Sequence, residues 1–172
     1  TILLRPGLGF GTGRHETTRL AMEALEREVK PGMRVLDFGS GSGVLSIAAH
    51  LLGAVEVLGI ECDTDAIQNA NENLELNDLG GKINFIHADR PEGVEGSYDL
   101  VVCNILPQHS LSHLASLANL LTNPHSLLIY SGFLTDQKHE IHTALTSSGL
   151  RAMEFFSLNE WGLWISAPTR QT

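Results

Sequence analysis

Asp37, Gly39, Gly41 and Gly43 stand in the run DFGSGSG, between apolar Val35-Leu36 and the alanine- and leucine-rich VLSIAA. Such a run reads as a strand, a turn and the start of a helix. Glycine at 39 and 41 lets the backbone turn sharply and approach a ligand with no side chain between. Gly43 allows close contact between helix and sheet. The spacing G-x-G-x-G is tighter than the dinucleotide fingerprint G-x-G-x-x-G, whose loop neutralises a pyrophosphate at a helix N-terminus. A carboxylate at Asp37 would repel a pyrophosphate, yet it suits a cationic ammonium, reached directly or through water. The loop therefore favours S-adenosylmethionine over a dinucleotide.

Later apolar runs end in residues of matching chemistry. Glu61 follows VEVLGI and can accept both hydroxyls of a ribose. Asp63 either helps hold the sugar edge or caps the next helix. After INFI come His87, Ala88 and Asp89. Asp89 is placed to meet an adenine amino group, and Ala88 offers a backbone amide to a ring nitrogen. The other reading of Asp89 is that it satisfies the Arg90-Pro91 turn. Asn104 opens the run NILP behind LVVC. Transfer of a methyl group to nitrogen needs a neutral amine, because an ammonium has no lone pair. The Asn104 side-chain oxygen can accept a hydrogen bond from that amine, whereas an acid there would favour the ammonium. An apolar pocket pushes a lysine down from its free pKa of about 10.4. Positioning then carries most of the catalysis.

The segment FGTGRHETT precedes all of these. Phe10 is placed to cover the donor end, and Thr12, Thr17 and Thr18 offer hydroxyls and helix-start capping. His15 reads first as a hydrogen-bonding residue at the helix start and second as a base. No lysine follows, so this is not a phosphate loop. The other histidines are scattered, with no metal-ligand spacing. Trp161 and Trp164 are expected to pack in the terminal hairpin, where one could touch substrate.

Hydrophobic periodicity supplies the elements that hold these residues. It predicts helices over 17–28, 43–52, 65–77, 110–121 and 135–148. Strands are predicted over 34–38, 55–60, 82–87, 98–103 and 126–130. A final pair, 152–158 and 163–167, turns at Asn159-Glu160 and should be antiparallel. The fold class is α/β: a doubly wound, Rossmann-like sheet, mostly parallel, closed by a C-terminal antiparallel hairpin. One domain over 1–172 accounts for the length.

Of the 172 residues 42% are hydrophobic and 18% charged, with net charge -9. This excludes a general nucleic-acid surface, which needs a field of lysine and arginine, and it eases the approach of a basic partner. The two cysteines, Cys62 and Cys103, read as free thiols at strand ends. No long apolar run or signal peptide is visible, so a membrane partner is not expected and the cytoplasm is the default location. Oligomeric state is not encoded in these patterns.

The segments PGLGFGTGRHETTR, VLDFGSGSGVLSIAA, GIECDTDAIQNANEN, VVCNIL and YSGFLTDQ together resemble the catalytic domain of the ribosomal protein L11 methyltransferase (PrmA) family. The resemblance covers essentially the whole chain. It implies an S-adenosylmethionine-dependent enzyme that methylates lysine and N-terminal amines of a large-subunit ribosomal protein, to the trimethylated product. It places Phe10, Thr12 and Thr17 or Thr18 in a loop beside methionine, and Asp37, Gly39 and Gly41 in the cofactor cradle. It gives Glu61 the ribose position and sets Asn104 beside the target nitrogen. Family members often have aspartate at the Glu61 position and proline at that of Thr64. They also carry a small N-terminal domain that grips the ribosomal substrate, which nothing here matches. The implied consequence is a piece that binds cofactor yet methylates the ribosomal protein poorly. The alternatives are a methyltransferase for another protein or a small molecule, a non-enzymatic cofactor-binding module, and a dehydrogenase.

Overall fold

The computed structural model describes residues 1–5 and 13–169. Helix α1 spans Glu16–Glu28, with His15 as its N-cap. Strand β1 is Arg34–Phe38, α2 Val44–Leu51, β2 Glu56–Glu61, α3 Thr64–Leu76 and β3 Asn84–His87. Then come β4 Leu100–Asn104, α4 Pro107–Ser110, α5 Leu114–Asn119, β5 Leu127–Leu134, α6 Lys138–Ser147, β6 Leu150–Leu158 and β7 Trp161–Pro168.

The seven strands form one sheet in the order β3-β2-β1-β4-β5-β7-β6. Strands β1 to β5 pair in parallel. Strand β7 is antiparallel to both its neighbours, β5 and β6. The reversed strand thus lies inside the sheet, and β6 forms the edge. Asn159, at φ +53°, makes the left-handed step of the turn between β6 and β7.

Side chains alternate across the sheet, so each central strand feeds two cores. Val35, Leu100, Val102 and Ile129 face the core built with α1 and α2. Leu36, Val101, Cys103 and Leu128 face the second core, with Leu114, Leu117, Ile141 and Leu145 from α5 and α6. Apolar residues therefore run continuously along β4, as burial on both faces requires.

The helix predicted over 110–121 is broken into α4, a single 3-10 turn at Leu111–His113, and α5. Pro107 stands in the first turn of α4. Ser110 adopts φ -126°, outside the helical range, and its hydroxyl meets the hydroxyl of Tyr130 at 2.6 Å. A tertiary contact thus ends a segment of adequate helix propensity.

Asn73, fully buried on α3, ties the chain start to the first glycine loop. Its Oδ1 accepts from the Arg5 backbone N–H at 2.8 Å, and its Nδ2 donates to the Ser42 carbonyl at 2.9 Å. Asn73→Ala strips partners from both backbone groups. We expect a loss of about 1–3 kcal/mol in unfolding free energy, read from the denaturant midpoint. An unchanged midpoint would remove Asn73 from this role.

Candidate active site

In an open α/β sheet the ligand crevice lies beyond the carboxyl ends of the strands, where strand order reverses. Here that point falls between β1 and β4. A cavity of about 740 Å³ opens there, within the range usual for small-molecule sites. Its wall includes Gly39, Ser40 and Gly41 after β1, Glu61 at the end of β2 and Asp63 after it, Ala88 and Asp89 after β3, and Asn104 at the end of β4. Thr17 and Thr18 reach it from α1. Thr17, Thr18, Gly39, Gly41, Glu61, Ala88, Asp89 and Asn104, predicted from separate segments, therefore share one crevice. Phe10 and Thr12 lie outside the described residues.

The Glu61 carboxylate is held in one orientation. Its Oε2 accepts from Gly41 N–H at 2.8 Å, and its Oε1 from Cys62 and Asp63 N–H at 2.8 and 3.0 Å. This acid therefore ties the first glycine loop to the end of β2, a role invisible in sequence. One lone pair of Oε2 remains for a ligand hydroxyl. Asp63 caps α3, accepting from Asp65 N–H at 2.9 Å, the second of its two predicted roles.

Asp37 is not in the cavity wall. It is only 1% exposed, and its Oδ2 accepts from the Ser46 hydroxyl at 2.6 Å. Burial pushes its carboxyl up to about 7; the Ser46 bond opposes that rise and the Glu61 charge adds to it. Direct contact between Asp37 and a ligand ammonium is therefore not what this geometry offers.

Two other expectations change. The Ala88 backbone amide does not point to a ligand, because it donates to the Glu61 carbonyl at 3.0 Å as the β3 pairing continues. Asp89 is exposed and pairs with the Arg90 guanidinium at 3.0 Å, which holds its carboxyl below the usual range. Its carboxylate is thus shared between the Arg90 turn and the cavity rim.

Three hydroxyl or amide oxygens in the wall, Thr18 Oγ1, Ser40 Oγ and Asn104 Oδ1, are buried with no hydrogen-bond partner among the described residues. Three more such atoms, His50 Nδ1, Ser126 Oγ and Ser166 Oγ, lie outside the cavity; the first three differ in sharing one wall, where a polar ligand could complete their bonding. Thr17 differs, since its hydroxyl meets His15 Nδ1 at 2.8 Å. His15 also caps α1 and sits edge-on to Trp161, with ring centroids 4.8 Å apart. It is built into the helix start.

Several wall residues went unread in the sequence, and for the tryptophans contact with substrate was only the second of two readings. Trp161 opens β7 and faces the cavity. His113 stands edge-on to Phe38 at 5.4 Å between centroids, 3.9 Å from Glu92. Gly132 lies in β5 where the register with β7 shifts. A glycine interrupting an apolar strand was the available signal for it.

A sequence profile described as "Ribosomal protein L11 methyltransferase (PrmA)" matches residues 1–167. A ribosomal protein L11 methyltransferase from Exiguobacterium sp. is 40% identical over 160 residues, covering 93% of this chain and 51% of that protein. Its Bacillus subtilis counterpart is 38% identical with the same coverage. The chain thus spans about half the length of these curated relatives. A crystal structure of ribosomal protein L11 methylase from Lactobacillus delbrueckii subsp. bulgaricus superposes with a TM-score of 0.90 at 33% identity, covering 98% of this chain and 86% of that one. A putative methyltransferase from Thermoplasma acidophilum shares the fold, with a TM-score of 0.70 at 21% identity over 81% of this chain and 70% of that one.

Proposed function

The chain belongs to the ribosomal protein L11 methyltransferase (PrmA) family, and from that premise we propose that residues 1–172 form the catalytic unit of an S-adenosylmethionine-dependent protein N-methyltransferase. Its proposed substrates are lysine and N-terminal amines of a large-subunit ribosomal protein, and its proposed location is the cytoplasm. The relatives are named for action on L11, which gives the substrate class. The observation that carries the reading is Asn104 Oδ1, buried and without a partner among the described residues in the wall of the crevice at the β1/β4 switch point.

The residues present fit the cofactor. The Glu61 carboxylate, fixed by three backbone N–H groups, would accept one ribose hydroxyl on its remaining Oε2 lone pair. Gly39 and Gly41 would let the backbone lie against the ligand, and the free Thr18 and Ser40 hydroxyls would bind its polar end. Asp37 would add negative potential below the loop, favouring a cationic group in the cavity. Phe10 and Thr12 remain assigned to the loop beside methionine. Asp89 keeps the adenine edge as its proposed partner. When bound, the cofactor supplies a sulfonium-held methyl group open to attack by an amine lone pair.

The chain's own part is to present that amine neutral and aligned. Asn104 accepts an N–H and so orients the lone pair. It carries no charge, so it does not favour the ammonium. Apolar neighbours such as Ile105, Leu106 and Trp161 exclude water and lower the amine pKa. Reactant alignment then removes much of the entropic barrier.

Calorimetric titration separates this reading from the dehydrogenase one. We expect S-adenosylhomocysteine to bind with micromolar affinity and NAD to show no saturable heat. Radiolabelled methyl transfer to the ribosomal protein, compared with free metabolites, then tests the acceptor. Saturable NAD binding without S-adenosylhomocysteine binding overturns the reading, as does transfer to metabolites alone.

A further inference from the structure

Ile105, next in sequence to Asn104, is held between Gly39 of the loop after β1 and Gly132 of β5. A Cβ built on Gly39 would lie 2.3 Å from Ile105 Cδ1 and 2.5 Å from its Cγ1, but 4.0 Å from its Cβ. The Ile105 side chain therefore fills the space that a larger residue at 39 would need. On the other side, a Cβ on Gly132 would lie 2.7 Å from the Ile105 carbonyl oxygen and 3.0 Å from its nitrogen. Here the Ile105 backbone occupies the space. Both glycines have left-handed backbone, at φ +78° and +99°. A third tie comes from Ser110, whose hydroxyl lies 3.4 Å from the Ile105 carbonyl oxygen and 3.1 Å from that of Leu106.

These contacts join the loop after β1, the end of β4 and the irregular residue of β5 at one point. The Gly39 amide is itself fixed, donating to the Ile60 carbonyl at 2.8 Å. Neither loop can shift relative to the other without moving Ile105. The glycine at 132 leaves room for the Ile105 backbone, where any Cβ would collide.

We propose that Ile105 is a positioning residue that sets the separation between the cofactor-binding glycine loop and the Asn104 amide, and that Gly39 and Gly132 are required to accommodate it. The proposal rests on the methyltransferase reading for its catalytic consequence, but the contact itself does not. Close packing makes such a wedge effective, because interiors transmit displacement instead of absorbing it. Misplacement of about 1 Å between reacting groups lowers rate by about 100-fold.

The test is a double-mutant cycle on Gly39→Ala and Ile105→Ala, with two readouts. Ile105→Ala removes Cγ1 and Cδ1, the atoms in the way of a Cβ at 39. We expect Gly39→Ala alone to weaken S-adenosylhomocysteine binding at least about tenfold. In the Ile105→Ala background the same change should cost at least about threefold less, leaving only the strain of alanine at positive φ. The same coupling should appear in denaturant unfolding of the ligand-free protein. Ile105→Ala alone should keep S-adenosylhomocysteine affinity within about threefold while kcat falls at least about tenfold. A double variant that folds where Gly39→Ala does not also supports the wedge. Additive effects of the two changes overturn it, as does unchanged kcat in Ile105→Ala or failure of both Gly39→Ala variants to fold. If wild-type protein binds no S-adenosylhomocysteine, the functional reading fails, while the unfolding cycle still decides whether Ile105 locks the two loops.

Discussion

Replacing Asn104 with alanine should cut methyl transfer at least about 100-fold while leaving S-adenosylhomocysteine affinity within about threefold. The side-chain oxygen is buried in the cavity wall and has no hydrogen-bond partner among the described residues. A free acceptor in that place costs stability unless a substrate N–H fills it. Its benefit must therefore appear when substrate is bound and aligned. Removing one oriented polar group at a reacting centre costs on the order of 100- to 1000-fold in turnover. Asn104→Asp is the sharper probe, because it keeps the shape and adds a charge. A carboxylate at 104 would hold the amine as ammonium, so activity should fall and its pH optimum should move upward. The Asp37 carboxyl lies in the same neighbourhood and would resist a second charge there. The measurements are single-turnover rates against pH, with calorimetric affinity for S-adenosylhomocysteine on the same samples. A large affinity loss in Asn104→Ala with little change in turnover would make this residue a cofactor ligand and not an acceptor-orienting one.

The crevice was legible because open parallel sheets bring strand ends together. Asp37, Glu61, Ala88 and Asn104 each follow an apolar run, and such runs read as buried strands without knowledge of their partners. Roles set by pairing were not legible. The Ala88 amide is engaged because β3 lies beside β2 in parallel, and sequence spacing does not encode that register. Glu61 shows its acid in sequence, but its bond to Gly41 N–H exists only once two loops meet. The break at Ser110 likewise depends on Tyr130, twenty residues away in sequence. Strand β5 was expected to end at Tyr130, yet it continues through Gly132 to Leu134 because β7 pairs with its far half. Trp161 shows the same limit: apolar composition signals burial, but only the hairpin's position turns it toward the cavity.

Asp37→Asn should make the ligand-free protein more stable at pH 8, by at most about 4 kcal/mol, and should flatten its stability between pH 4 and 7. The carboxyl rises from 3.8 to about 7 in the folded protein because it is buried. Between these values the folded state keeps a proton that the unfolded chain has released. Stability then falls as pH rises, by about 1.4 kcal/mol per pH unit at most, and levels off above pH 7. The contribution is complete below the unfolded value near 4 and is lost as pH passes through the folded value. Asparagine can still accept from the Ser46 hydroxyl but carries no charge to desolvate, so the slope due to this position disappears. Ligand binding should move the other way. A cation in the cavity favours the Asp37 carboxylate, so binding below pH 7 should release a proton and affinity for S-adenosylmethionine should rise toward pH 7. Asp37→Asn should bind the cofactor at least about tenfold more weakly at pH 8, with that pH dependence removed. Parallel stability curves for wild-type and Asp37→Asn from pH 4 to 8 would show that Asp37 does not titrate in this range. Equal cofactor affinity at pH 8 would show that its charge does not reach the cavity. If both changes appear together, the same carboxylate would lower the stability of the empty fold and strengthen cofactor binding, an expected trade at a functional site.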